Sequence, residues 1–276
     1  MNGATRRSLG GVLAFAVACG LATTAAPARA ATDADPCASL SNLVSRPTAA
    51  TAACAVKPGD GLLETGSTVT STGGGGGTTT ALLPQANLRL GVAPRLEIDL
   101  VPPSYERQSS SPPATGTSDA FAGFKYQIGA TSKMIYGVNV LSTLDTGSVA
   151  FSANGDGVLA NVNAALSLSP AIGLFATFGY NAQSGGTRPN PERYHGFDPA
   201  LGATVAVPLG LTVFAEGFGA SSIAPGGPGL YGFDTGLQKD IGPRVQLDVN
   251  LFEYPRLQTG AHQSSIGFGA AYLFGR

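Results

Sequence analysis

The run Val245-Gln246-Leu247-Asp248-Val249-Asn250-Leu251-Phe252 sets an apolar branched residue at every second position and fills the places between with Gln, Asp, Asn and finally Phe. A period of two belongs to a strand, whose successive side chains point to opposite faces. The same grammar appears upstream. Val158, Ala160, Val162, Ala164 and Leu166 share one face, and Leu159, Asn161, Asn163, Ala165 and Ser167 share the other. From Gly61 onward the alternation recurs twelve times, over residues 61–71, 79–91, 95–105, 119–130, 134–145, 157–168, 172–183, 195–207, 211–222, 229–240, 244–254 and 263–274.

The connections carry the next step. Short ones fall at 91–94, 130–133, 169–171, 207–210 and 241–243; long ones fall at 72–78, 106–118, 146–156, 184–194, 223–228 and 255–262. Five short and six long connections in strict alternation are what an even-stranded up-and-down barrel requires, with both termini on the periplasmic side. Hydrocarbon offers no partner to a free N–H or C=O, so a sheet that crosses a bilayer must close on itself. The fold expected is therefore all-β: a closed, transmembrane, antiparallel up-and-down β-barrel of about twelve strands over residues 59–276.

Composition agrees. Only 12% of the 276 residues are charged while 43% are hydrophobic, and Trp is absent. A soluble domain carries roughly 25% charged residues. Past the leader no uninterrupted apolar run approaches the roughly 18 residues that suggest a spanning helix. The polar face is built of Gly, Ala, Asn and Ser rather than long charged side chains, as suits a crowded lumen. All eight tyrosines lie near strand ends: Tyr105, Tyr180, Tyr194, Tyr231 and Tyr254 beside long loops, Tyr126, Tyr136 and Tyr272 toward the short turns. Two interfacial aromatic girdles have that pattern.

Residues 1–30 read as a cleaved secretory signal, with Arg6-Arg7, an apolar stretch from Gly10 to Ala26 and the A-x-A site Ala28-Arg29-Ala30. The competing reading is a lipoprotein cut before Cys19. Removing the leader leaves 13 basic against 17 acidic residues, a net −4 that makes nucleic acid an improbable partner. It also leaves two cysteines, Cys37 and Cys54, and an even pair in an exported chain points to a disulfide. Both lie in a Pro/Ala/Thr-rich segment over 31–58, expected to form a periplasmic extension closed by that one bridge. The expected location is the outer membrane of a Gram-negative cell, with outer-membrane lipid as the surrounding partner. Ile266, Phe268, Ala270, Tyr272 and Phe274 form an alternating C-terminal signal for the barrel-insertion machinery, although Gly275-Arg276 follow the last aromatic.

Several pieces taken in order resemble a family of outer-membrane proteins labelled for the meta-cleavage pathway of phenol degradation and often called transporters. They are Asn87-Leu88-Arg89-Leu90-Gly91 turning into Arg95-Leu96-Glu97-Ile98, Asp119 with Gly123-Phe124-Lys125-Tyr126, Phe214-Ala215-Glu216, Asp234-Thr235-Gly236-Leu237, Gln246-Leu247-Asp248 and Ile266-Gly267-Phe268-Gly269. The resemblance covers most of 80–276. It implies a β-barrel and the uptake of aromatic compounds. The turn after Gly91 departs from the family's usual Leu-Thr-Asp-Arg, reading Val-Ala-Pro-Arg.

By strand parity Arg89, Glu97, Asp99, Lys125, Glu216, Asp234 and Asp248 project into the lumen, five acids and two bases in one enclosed space. Two readings stand side by side. These residues select and orient a small solute, as charged rings do in other pores, or they form a buried ion-pair network that fills the barrel. Correspondingly the chain is expected to be a channel or transporter for small molecules, aromatic or hydrophobic compounds among them, or else a structural barrel with a plugged lumen. Twelve strands enclose a narrow path at most. No enzyme, cofactor or metal is expected: a hydrolase needs Ser, His and an orienting group together, and His195 and His262 lie in separate regions. The run Gly73–Gly77 has no Lys-Ser/Thr after it and is no phosphate loop.

Overall fold

The computed structural model describes residues 35–73, 77–186, 190–255, 257 and 261–275. The leader over 1–30 and Cys19 lie outside the described residues. Fourteen strands form one antiparallel sheet: β1 (Gly61–Thr72), β2 (Thr78–Ala93), β3 (Leu96–Val101), β4 (Tyr105–Gln108), β5 (Ala114–Thr117), β6 (Ala120–Ala130), β7 (Met134–Leu144), β8 (Gly157–Ser169), β9 (Ile172–Gly185), β10 (Glu192–Val207), β11 (Leu211–Ala220), β12 (Leu230–Ile241), β13 (Val245–Tyr254) and β14 (Gln263–Phe274). β3 and β4 follow one another along β2, and β5 and β6 along their far side, so each pair makes a single stave. The result is twelve staves. β1 pairs with β2 on one side and with β14 on the other, from Gly61↔Phe274 to Thr72↔Gln263, which closes the barrel.

The twelve alternating segments coincide with the twelve staves, with one difference. The stretch 106–118, read as a long loop, contains β4 and β5 and carries the wall further up. Pro102-Pro103, Pro112-Pro113 and the serines at 109–111 hide four-residue strands that hold only because a neighbour pairs with them.

Faces separate as the alternation demands. Val162, Phe178, Leu201 and Phe268 are more than half exposed on the outside, while Arg89, Asn163 and Gln246 are fully buried within. A continuous belt of exposed Leu, Val, Ile and Phe is far larger than the apolar patches of soluble monomers. Lipid is the solvent that such a surface fits. Six tyrosines point outward with these residues. Tyr194 and Tyr254 do not: each shares its strand's inward parity with buried neighbours, Gly196 and Asn250 respectively, so the girdles draw on six tyrosines and not eight. End position alone could not reveal this, because the inside of a barrel also has ends.

The segment over 31–58 departs most from expectation. Its described part does not stand apart as an extension but folds back into the lumen at the short-turn end. A turn of 3-10 helix at Pro36–Ala38 leads into the short helix α1 (Leu40–Leu43), and the Cys37–Cys54 disulfide ties the segment into a loop. Cys37, Leu40, Leu43, Val44, Cys54 and Val56 pack on the inward-facing Leu62, Ile135 and Ala271 to make the one dry cluster of the molecule's described residues. Ala, Thr, Ser and Pro are small enough to fit where a regular element would not. Gly59 N–H to Gly91 O and Gly91 N–H to Asp60 O, both 3.0 Å, guide the chain from this plug into β1.

Candidate functional site

Arg89 on β2 sits at the centre of the contact between plug and wall. Its Nε donates to Glu97 Oε1 at 2.8 Å and its Nη2 to Glu97 Oε2 at 3.2 Å. Nη1 donates to Glu64 Oε1 at 2.7 Å and to the Leu43 carbonyl, and Nη2 to the Cys54 carbonyl at 2.9 Å. A guanidinium has five N–H donors in a planar fork; all five are used here. Asp99 lies 3.8 Å from Nε, and Lys125 Nζ meets Glu97 at 3.2 Å. The strand register produces the cluster, since Arg89 is opposite Asp99 and Glu97 opposite Lys125 on adjacent staves. Burying so many charges is tolerated only when each is paired and hydrogen-bonded.

The wall acids also read the plug's backbone. Most of the plug has no ladder of its own, so its N–H groups need side-chain acceptors. Ser45 and Arg46 N–H reach Glu64 at 3.1–3.2 Å, Ala49 and Ala50 N–H reach the two oxygens of Glu216 at 2.7 and 2.8 Å, and Val56 N–H reaches Glu97 at 2.6 Å. Ala55 N–H takes Gln127, Thr51 N–H takes Thr177 Oγ1, and Gln238 donates to the Arg46 carbonyl. Glu64, which these contacts make central, follows Leu62-Leu63 and shares its face with Leu62 and Gly66, so alternation alone does not mark it.

The third anchor is Arg46 itself. Its Nη2 lies 3.4 Å from Asp248 and 3.3 Å from the Phe268 carbonyl. The guanidinium lies against Gly66 and Gly269, which are register partners on β1 and β14. A Cβ on Gly269 would come within 2.7 Å of Asp248 Oδ2, and one on Gly66 within 2.6 Å of Phe268 O and 2.5 Å of Arg46 Cζ. Two adjacent glycines thus leave the berth that a plug arginine fills. Gly269→Val should evict Arg46 and leave the barrel closed; limited proteolysis of the plug would rise while heat-modifiable migration persists. Unchanged protection of the plug would contradict the assignment.

Asp234 completes the seven residues that parity assigned to the inside. It is 1% exposed, opposite Glu216 in register on one side and opposite Phe252 on the other. Phe218, Phe252 and Tyr254 make an edge-on aromatic group at that level, with centroids 5.7 and 5.4 Å apart. All seven are buried: Arg89, Glu97, Asp99 and Lys125 come together in one cluster, Glu216 and Asp234 in a second, and Asp248 pairs with Arg46. Space remains around the plug. A cavity of about 770 Å³ opens at the short turns between Ser41 and Asn42 of the plug and Lys133, Thr204 and Gln238 of the wall, and another of about 220 Å³ lies beyond Arg46.

The histidines lie apart. His195 Nδ1 meets Tyr180 Oη at 2.8 Å on the outside of the wall. His262 Nε2 is 2.7 Å from Glu253, and Ser264 Oγ donates to that same carboxylate at 3.0 Å. A serine that gives its hydrogen to the acid, beside an imidazole whose Nε2 is already engaged, lacks the order of a nucleophile–base–acid relay. Among the described residues no group of three His, Cys, Asp or Glu is arranged to hold a metal ion.

No family model matches the chain. No curated protein matches it either. Solved structures do share its architecture. An outer membrane channel from Pseudomonas putida F1 is similar over 80% of this chain and 97% of its own, with a TM-score of 0.58 at 15% identity. The NanC porin is similar over 76% of this chain and 98% of its own, with a TM-score of 0.53 at 10% identity. At such identities the likeness is one of fold.

Proposed function

We propose that this chain is an outer-membrane channel for small molecules, aromatic and hydrophobic compounds among them, whose lumen carries its own N-terminal plug. The observation that carries the reading is the pairing of a lipid-type exterior with an interior of buried polar groups in which the plug leaves a cavity of about 770 Å³ open at the short turns. A barrel built only as a wall would be expected to fill that volume with side chains, as eight-stranded barrels do. The fold shared with a channel and a porin agrees with it. Export by a signal over residues 1–30 and insertion through the alternating C-terminal strand belong to the same proposal. So does the selecting role of Glu97, Asp99, Lys125, Glu216, Asp234 and Asp248, with Arg89 as the holder of the plug.

A structural barrel with a closed lumen is the second reading, and the dense bonding of plug to wall favours it. Reconstitution into planar bilayers separates the two. A channel gives discrete conductance, and Glu216→Ala, which removes the acceptor of Ala49 and Ala50 N–H, raises it, whereas Asp234→Ala shifts ion preference away from cations. Insertion with no conductance in the wild type or in either variant would favour the structural role.

A further inference from the structure

On the long-loop half of β12 the sequence reads Gly232-Phe233-Asp234-Thr235-Gly236, and Gly232, Asp234 and Gly236 face inward. Both glycines leave room that a neighbour's ring takes. A Cβ on Gly232 would come within 2.8 Å of Phe218 Cζ, and one on Gly236 within 2.7 Å of Phe214 Cε1. Two rings from β11 therefore lie over β12 on either side of Asp234. From β13, Phe252 is the register partner of Asp234, and Tyr254 follows at the next inward position toward the long loops. Four rings frame one carboxylate.

Such a frame is a poor setting for a bare carboxylate, because ring faces carry negative potential and Phe brings no donor. Asp234 is almost wholly buried, and among the described residues neither of its oxygens meets a donor in hydrogen-bonding geometry. Asn250, one inward position below Phe252, is buried with its Nδ2 lacking an acceptor. Opposite Asp234 on β11 stands a second carboxylate, Glu216, already engaged by Ala49 and Ala50 N–H of the plug. Cations of the described lumen are committed elsewhere: Arg89 and Lys125 to Glu97, Arg46 to Asp248. A buried charge left in this state is costly.

One kind of ligand answers every part of this arrangement. An ammonium ion is attracted by both carboxylates and by the ring faces, and its N–H groups supply the donors that Asp234 lacks. A neutral hydrocarbon or an anion would leave the carboxylate unpaired. A divalent metal would find two carboxylates, fewer oxygen ligands than such an ion takes.

We propose that Asp234, with Glu216 and the rings of Phe214, Phe218, Phe252 and Tyr254, binds the ammonium group of a small amine on the long-loop side of the plug. As a step in passage this rests on the channel reading and gives it a solute class; as a binding site it is measured separately. The full-length barrel in a non-ionic detergent is titrated calorimetrically, at constant ionic strength, with benzylammonium and with benzyl alcohol, which has a similar shape and no charge. The wild type should bind benzylammonium saturably and benzyl alcohol about thirtyfold more weakly. Asp234→Asn, nearly isosteric, should lose benzylammonium affinity by about the same factor, and Phe252→Leu by about threefold, with heat-modifiable migration showing that each variant is folded. Equal affinity of the wild type for the two probes, or no binding of benzylammonium, would overturn the site, and neither result depends on a variant. Unchanged affinity in folded Asp234→Asn would overturn it too. Conductance in planar bilayers is read in parallel. A wild type that conducts ions and binds no benzylammonium loses the site and keeps the channel; one that binds benzylammonium and conducts nothing keeps the site and loses the channel.

Discussion

Arg89→Ala should free the plug from the wall without opening the barrel. The side chain is fully buried and holds the plug's covalent loop at two points, the Leu43 and Cys54 carbonyls, while pairing with Glu64 and Glu97. Truncation strands three carboxylates, Glu64, Glu97 and Asp99, around the single cation Lys125. Removing one partner of such a buried network costs about 3–5 kcal/mol. Admitting water to the acids recovers that energy, and water needs the volume that the plug occupies. The plug's displacement is therefore favoured twice, by lost hydrogen bonds and by rehydration. None of the ladder pairs depends on this side chain, so heat-modifiable migration should survive. Protease cleavage within residues 35–60 and conductance should both rise sharply. Arg89→Lys keeps the charge but offers three donors in place of five, and should fall between. A plug that stays protected in Arg89→Ala would show that the apolar cluster, not the arginine, retains it.

How far the sequence carried this picture can be judged from particular residues. Strand alternation is a local signal, because each side chain's face is set by its immediate neighbours, so the twelve staves and the inward parity of Arg89, Lys125 and Asp248 were legible without coordinates. The β4–β5 hairpin was not, since four-residue strands between prolines exist only through their partners. Nor was the plug. Nothing in Ala49-Ala50-Thr51 says that its N–H groups will meet Glu216, which lies 166 residues away in sequence at Ala50. The acids were visible as a ladder, but a backbone acceptor and a solute-selecting charge look the same in one dimension. Gly66 and Gly269 show the converse: two unremarkable glycines whose meaning appears only when Arg46 lies against them.

Replacing both Cys37 and Cys54 by serine should also mobilise the plug, by a different physical route. The bridge closes a loop of 17 residues' separation. On the chain-entropy account a loop of that size restrains the released state by about 3 kcal/mol. In this protein the relevant released state is a plug withdrawn from the lumen, with the barrel still folded. Without the bridge, the withdrawn segment gains freedom and the seated one loses little, because Cys37 and Cys54 are buried and their neighbours Leu40, Leu43 and Val56 keep their apolar contacts. Conductance should therefore become intermittent, with long closed intervals, rather than permanently raised as in Arg89→Ala. Reductant added to the wild type should act slowly, since the sulfurs are shielded until the plug moves. The two perturbations share the Cys54 carbonyl as a contact, so their effects should not add: in the triple variant, the serines should increase plug cleavage by less than they do when Arg89 is present. Full additivity would mean that the bridge and the arginine restrain separate parts of the chain, and that the plug does not move as one body.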